Sequence, residues 1–129
     1  MPQIIPQLSV RRGREALAFY QAALGAEVDY LVGEDEIVAQ LSAGGATFWI
    51  SDESPEYGNF SPETVGGGTV RMALVVPDPD VAMARAIAAG AREVVPVQQG
   101  HGWRLGRVVD PYGHHWEIGT PLGPWPPHR

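Results

Sequence analysis

Apolar and polar positions alternate as the chain opens. Ile4, Pro6, Leu8 and Val10 fall on one side and Ile5, Gln7 and Ser9 on the other, the period of a half-buried strand. After the basic loop Arg11-Arg12-Gly13-Arg14 the period changes. Ala16, Phe19, Tyr20, Ala23 and Leu24 recur at helical spacing, and Gly25 ends the run. Three short strands are expected next, Glu27–Val32, Ile37–Ser42 and Ala46–Ser51, the last two joined at Gly44-Gly45. From Asp52 to Gly68 the period is lost, and density in Pro, Gly and acids predicts a linker or lid. Its Gly66–Gly68 run is followed by neither Lys nor a helix start, so it reads as a flexible join rather than a phosphate cradle. Thr69–Val76 resumes as a strand. Asp78 then caps a helix with Pro79 at its first position, Val81, Ala84 and Ala88 as its buried stripe, and Gly90 at its end. Three more strands follow, Arg92–Val97, Trp103–Val109 and His114–Gly119. The Pro-rich tail Pro121–Arg129 is expected to lie extended on the surface.

The order strand, helix, Gly-Ala, three strands therefore occurs twice. A shift of 65 residues superposes Val10 on Val75, Ala16 on Val81, Ala23 on Ala88, Gly25 on Gly90 and Ala26 on Ala91. The expectation is an α+β fold of two tandem βαβββ modules in one domain. Module 1 covers about residues 3–51, the linker 52–68, module 2 about 69–120 and the tail 121–129.

Composition narrows the chemistry. At 129 residues and 44% hydrophobic content the chain can bury a core unaided. It has no cysteine, so disulfides, a thiolate nucleophile and a Cys-type zinc site are excluded. All nine basic residues are Arg, and without Lys neither Schiff-base catalysis nor a P-loop is possible. A net charge of -6 with no basic stripe argues against nucleic acid and against an anionic membrane surface. With neither a signal peptide nor a membrane-length apolar run, a soluble, cytoplasmic protein is expected.

The candidate chemistry gathers at the end. The turn Asp110-Pro111-Tyr112-Gly113 delivers a strand on which His115, Glu117 and Gly119 share one face and His114, Trp116 and Ile118 the other. One face suits a site and the other a core. All four histidines, His101, His114, His115 and His128, lie in the last 29 residues.

The duplication, the helix segment ALAFYQAALGAEV, the linker ISDESPEYG and the ending GRVVDPYGHHWEIGTP together resemble the vicinal oxygen chelate superfamily, which includes glyoxalase I, bleomycin-resistance proteins and extradiol dioxygenases. The likeness spans nearly the whole chain and is nearest to a glyoxalase-like bacterial branch. It implies sheets that curl into an open cup with helices outside, a small-molecule ligand inside, and a homodimer. It also implies four metal-ligand positions. These fall on Ile5, on or near Trp49, on Arg71 (RMALVV against the family's HxALxV) and on Glu117 (DPxGxxxE). Only Glu117 carries a donor of the family type, and Arg71 sets a fixed positive charge where a cation should sit. No cofactor is therefore expected. A divalent ion (Ni, Zn, Mn or Fe) is the alternative.

On that fold, strand parity assigns Ile5, Gln7, Ser9, Thr47, Trp49, Ser51, Arg71, Ala73, Val75, His115 and Glu117 to the cup. Arg71 and Glu117 are expected to pair there, Arg71 standing in for the cation, with Glu117 or His115 as proton acceptor. The competing account is a pair that merely neutralises itself. Gln7, Ser9, Thr47, Trp49, Ser51 and Ala73 would line the ligand pocket, with Trp49 either stacking platform or core. Trp103, with His101 and Arg104, would stand at its mouth. The function expected is binding of a small organic molecule, with turnover open. A divalent-metal lyase, isomerase or dioxygenase and a drug-sequestering resistance protein are the alternatives.

Overall fold

In a computed structural model, which describes residues 1–127, the chain begins with strand β1 (Gln7–Val10) and runs through helix α1 (Gly13–Leu24) into β2 (Glu27–Val32), β3 (Val38–Ala43) and β4 (Ala46–Asp52). A connection containing the four-residue helix α2 (Pro62–Val65) leads to β5 (Arg71–Val75), α3 (Pro79–Ala89), β6 (Arg92–Gly100), β7 (Trp103–Val109) and β8 (His115–Pro121). The two sheets are separate and four-stranded, ordered β1-β4-β3-β2 and β5-β8-β7-β6. In each, the first strand pairs in parallel with the last and the other pairs are antiparallel. This is βαβββ twice over. The expected strand at Ile4 begins three residues later, and Ile4 itself is 99% exposed.

Each module's helix has its start fixed by a carboxylate. Asp78 accepts the amide of Val81 at 3.2 Å as the α3 cap. In α1 the cap position is Arg12, which makes no side-chain cap bond, and Asp52 from the end of β4 accepts the Gly13 amide at 2.9 Å instead. The same Asp52 accepts the Ile37 amide at 2.7 Å, tying helix start, strand β3 and strand β4 together.

The buried stripe of α3 differs from expectation. Pro79, Met83 and Ala86 are buried, whereas Val81 is 64% exposed and Ala84 and Ala88 face solvent. The cause is the offset between modules. Buried Leu8, Val10, Ala16, Tyr20 and Ala23 match the covered Leu74, Val76, Ala82, Ala86 and Ala89, so 66 residues, not 65, separate equivalent positions through strand and helix. The 65-residue shift holds only across the Gly-Ala step into β2 and β6, because α3 has 11 residues against 12 in α1. The residue is lost at the C-terminal cap. Ala26 N–H reaches back to Tyr20 O, and Ala91 N–H to Ala86 O, one residue nearer.

One core joins both modules. Tyr20 of α1 meets Phe48 of β4 and Trp116 of β8 at ring separations of 5.6 and 5.7 Å, and Phe48 meets Trp116 at 5.6 Å. The helix-covered faces of the two sheets thus touch, and α1 packs on α3. At the junction lies Asp110, 4% exposed. One oxygen accepts the Tyr20 hydroxyl and the Trp116 Nε1–H (3.0 Å); the other accepts the amides of Tyr112 and His114, both at 2.9 Å. Burial first, and Asp110 beside it, push the Tyr20 hydroxyl pKa well up, so it stays a donor.

The linker is anchored along part of its length. Ser61 caps α2, and Glu53 accepts the Ser61 amide at 2.9 Å and the Thr64 hydroxyl at 2.8 Å. Those bonds hold the Glu53 carboxyl below its ordinary pKa. At the other end of the chain, Leu122 N–H bonds Gly102 O at 2.8 Å and Trp125 packs edge-on against Trp103 at 5.3 Å. The tail to Pro127 therefore folds back onto the β6–β7 turn. His128 and Arg129, the rest of the expected tail, lie outside the described residues.

Candidate functional site

The β7–β8 hairpin builds the site. Its turn is locked by the two Asp110 side-chain bonds and by Asp110 N–H to His114 O at 2.8 Å, and this fixes the register of both strands. Counting outward from the turn, Val109 opposes His115 and Arg107 opposes Glu117. On the other side of β8 runs β5, with Arg71 beside His115 and Ala73 beside Glu117. Glu117 therefore lies between two arginines. Arg71 Nε donates to its Oε1 at 3.2 Å, and Arg107 Nη2 stands 3.6 Å from its Oε2. The Glu117 side chain is 23% exposed, Arg107 29% and Arg71 52%. The expected Arg71–Glu117 pair is present, and a second guanidinium joins it.

Two polar atoms here have no partner. Arg107 Nε and His115 Nδ1 are buried without a hydrogen bond. Arg107 and Glu117 open onto a cavity of about 380 Å³, lined further by Val95, Leu105, Gly106, Gln98, Gln99, Gly100 and His101. Two features shape it. The β6–β7 ladder slips register between Glu93 and Val95 and again between Val95 and Gln98, and such bulges bend a strand. Gly119 lets β7 lie close: a Cβ there would stand 2.8 Å from the Arg104 carbonyl oxygen and meet the Leu105 side chain. The hairpin tip places His101 at φ 53°, ahead of Gly102 at φ 80°, in the left-handed region that a two-residue hairpin turn requires.

Other expected site residues divide between the sheets. His115, Ala73 and Arg71 share the Glu117 face. Gln7, Trp49 and Ser51 belong to the first sheet, where Gln7 opposes Trp49 and Ser9 opposes Ser51. Trp49 packs edge-on against Tyr30 at 5.9 Å. The carbonyl oxygen of Ser9 accepts the His114 ring Nε2–H at 2.9 Å, and with Gln7 it lines a groove between the outer edges of β1 and β5. Thr47 lines a further groove with Arg71 and Ala73. Trp103 faces Trp125, and Arg104 makes a two-pronged bond to Asp80 on α3 at 2.7 and 2.8 Å. Arg107, Gln98 and His101 complete the cavity. Of these, Arg107 was legible in the sequence, because a two-strand count from the Asp110 turn sets it against Glu117.

The four metal positions implied by the resemblance do not make a donor set. Ile5 is apolar, Trp49 packs edge-on against Tyr30, Arg71 is cationic, and Glu117 is engaged by two guanidiniums. Among the described residues no three His, Cys, Asp or Glu side chains converge as a metal group. The residues present do not fit a family-type ion.

Comparison with known proteins agrees with this architecture. The family model described as a glyoxalase-like domain matches residues 7–119. The uncharacterised protein Mb0911c of Mycobacterium bovis is 36% identical over 128 residues, covering 94% of this chain and 84% of that protein. TioX from Micromonospora sp. ML1 superposes with a TM-score of 0.71 at 25% identity, over 95% of this chain and all (100%) of its own. The fosfomycin resistance protein FosX of Listeria monocytogenes, solved in a mutant form with Mn(II) and a dihydroxypropylphosphonic acid, gives 0.72 at 19% identity, covering 96% and 91%. At that identity the likeness is one of fold. With the family model covering most of the chain and both modules in place, the protein belongs to the glyoxalase-like family of the vicinal oxygen chelate superfamily.

Proposed function

We propose that the chain binds a small organic molecule against the Arg71–Glu117–Arg107 face of the second module, without a metal ion. The observation that carries this reading is the placement of Glu117 between two guanidiniums on the wall of a cavity of about 380 Å³. In place of a divalent cation, the arginines supply fixed positive charge that can hold an anionic group or polarise a carbonyl oxygen. His115 stands beside Arg71 with its Nδ1 buried and unpartnered, and is the first candidate proton acceptor. Glu117 is the second proton acceptor.

The working unit in this reading is a homodimer in the cytoplasm. The first sheet carries exposed Tyr30, Val32 and Val38, with Tyr30 packed edge-on against Trp49, an apolar patch beside the carboxylates of Glu27 and Asp29. A partner copy would bring that patch over the second module's cavity. Among the described residues no helix is long and apolar enough to cross a membrane, and the acidic balance of the chain offers nothing to nucleic acid.

Elemental analysis of the protein, before and after incubation with Mn, Fe, Ni and Zn, tests the metal-free reading. The expected result is no stoichiometric metal at any step. Near-stoichiometric metal that disappears in Glu117→Ala overturns it, and calls for lyase and dioxygenase assays. A ligand that raises Tm in proportion to its binding and is recovered unchanged marks a sequestering protein; one recovered altered marks an enzyme.

A further inference from the structure

We infer that Arg107 is the anchor for a carboxylate group on the molecule bound in the second module, so that the ligand is a small organic monocarboxylate. The inference rests on the reading above and narrows it. The two arginines are not equivalent. Arg71 spends its Nε on Glu117 Oε1 at 3.2 Å and is half exposed, so water satisfies its remaining N–H groups. Arg107 is the more enclosed of the two; it leans on Glu117 only through Nη2 at 3.6 Å, and its Nε is buried with nothing to donate to. A buried N–H without an acceptor is costly, and a guanidinium N–H the more so, because it carries charge. The acceptor is the missing part.

Charge says what kind of acceptor. Glu117 is the one acid among the residues lining the cavity; Arg107 from that lining and Arg71 from outside it both face this carboxylate, so the three-residue cluster carries one net positive charge. A monoanion balances that charge, whereas a doubly charged phosphate or sulfate would exceed it. A carboxylate also matches the planar fork of the guanidinium. The remainder of the lining describes the remainder of the ligand. Val95 and Leu105 offer apolar surface, and Gln98 and Gln99 offer amides for a further polar group. An apolar body with one carboxylate and one hydrogen-bonding group fits all of it.

The test follows the Arg side-chain Nε–H signals of the full chain by two-dimensional NMR, with Arg107 identified through its loss in Arg107→Gln. Phenylacetate and its neutral isostere phenylacetamide are titrated in parallel. Phenylacetate should shift the Arg107 Nε–H to saturation, and phenylacetamide should bind far more weakly. Loss of one charge-assisted contact should weaken phenylacetate by about tenfold or more in Arg107→Gln. Arg107→Lys should recover only part, since an ammonium keeps the charge but not the fork. Circular dichroism confirms that both variants fold. Equal binding of acid and amide, or phenylacetate binding unchanged in Arg107→Gln, overturns the carboxylate inference while leaving the pocket in place. If acetate, butanoate, phenylacetate and phenylacetamide all leave the Arg107, His115 and Gln98 signals unmoved, the pocket reading falls with it.

Discussion

Two carboxyl groups on one hairpin have opposite kinds of surroundings. Asp110 sits at the turn, buried, with four neutral donors divided evenly between its oxygens. Glu117 lies seven residues on, a quarter exposed, with two cations of which one stands only at contact distance. Around Asp110 every donor is used, and the donors come from both modules: Tyr20 from the first helix, Trp116 from the last strand. Around Glu117 positive charge exceeds negative and a buried N–H is left over. A polar cluster whose valences close holds a fold together, and one whose valences stay open, beside a cavity, is the place for a ligand.

The contrast can be broken most forcefully at Asp110. Asp110→Ala strands the Tyr20 hydroxyl, the Trp116 indole N–H and two backbone amides in the core, and should cost about 3–5 kcal/mol in urea unfolding. A loss below about 1 kcal/mol would mean that water replaces the carboxylate and that the junction is not closed. Tyr20→Phe removes one donor and keeps the ring contacts with Phe48 and Trp116. It should cost about 1.5–3 kcal/mol, the range for hydrogen bonds to charged groups. The smallest effect on stability belongs to Glu117→Gln, because partly exposed ion pairs contribute about 0–1 kcal/mol. That substitution should nonetheless change binding, by releasing Arg107 to the ligand and tightening phenylacetate. If Glu117→Gln destabilises as much as Tyr20→Phe, both carboxyl groups are structural.

Much of this was legible in the sequence. The faces of β1, β5 and β8 followed from parity, since strand positions alternate without drift. The Arg71–Glu117 pair followed from setting those strands side by side. The buried stripe of α3 was not legible, because Val81, Ala84 and Ala88 are as apolar as Met83 and Ala86, and the Ala-rich helix offers no polar face to settle its rotation. Aligning the modules on Gly25 and Gly90 then carried an error of one residue back through helix and strand. The cavity was missed for a different reason. It depends on two register slips in β6, of which only the second is marked in the sequence, by Pro96, which has no N–H to give the ladder.

The helix that ends one residue early bears on how such a duplicated chain can change length. Removing one residue from a strand would turn every following side chain to the wrong face. Removing one inside a helix would rotate all that precedes it by about 100°, the angle between residues at 3.6 per turn. At the helix C-terminus the same deletion shortens one hydrogen-bonded ring, and both flanking patterns keep their facing. Length differences among descendants of this repeat should therefore gather just before the Gly-Ala step, where a gained or lost codon is nearly silent.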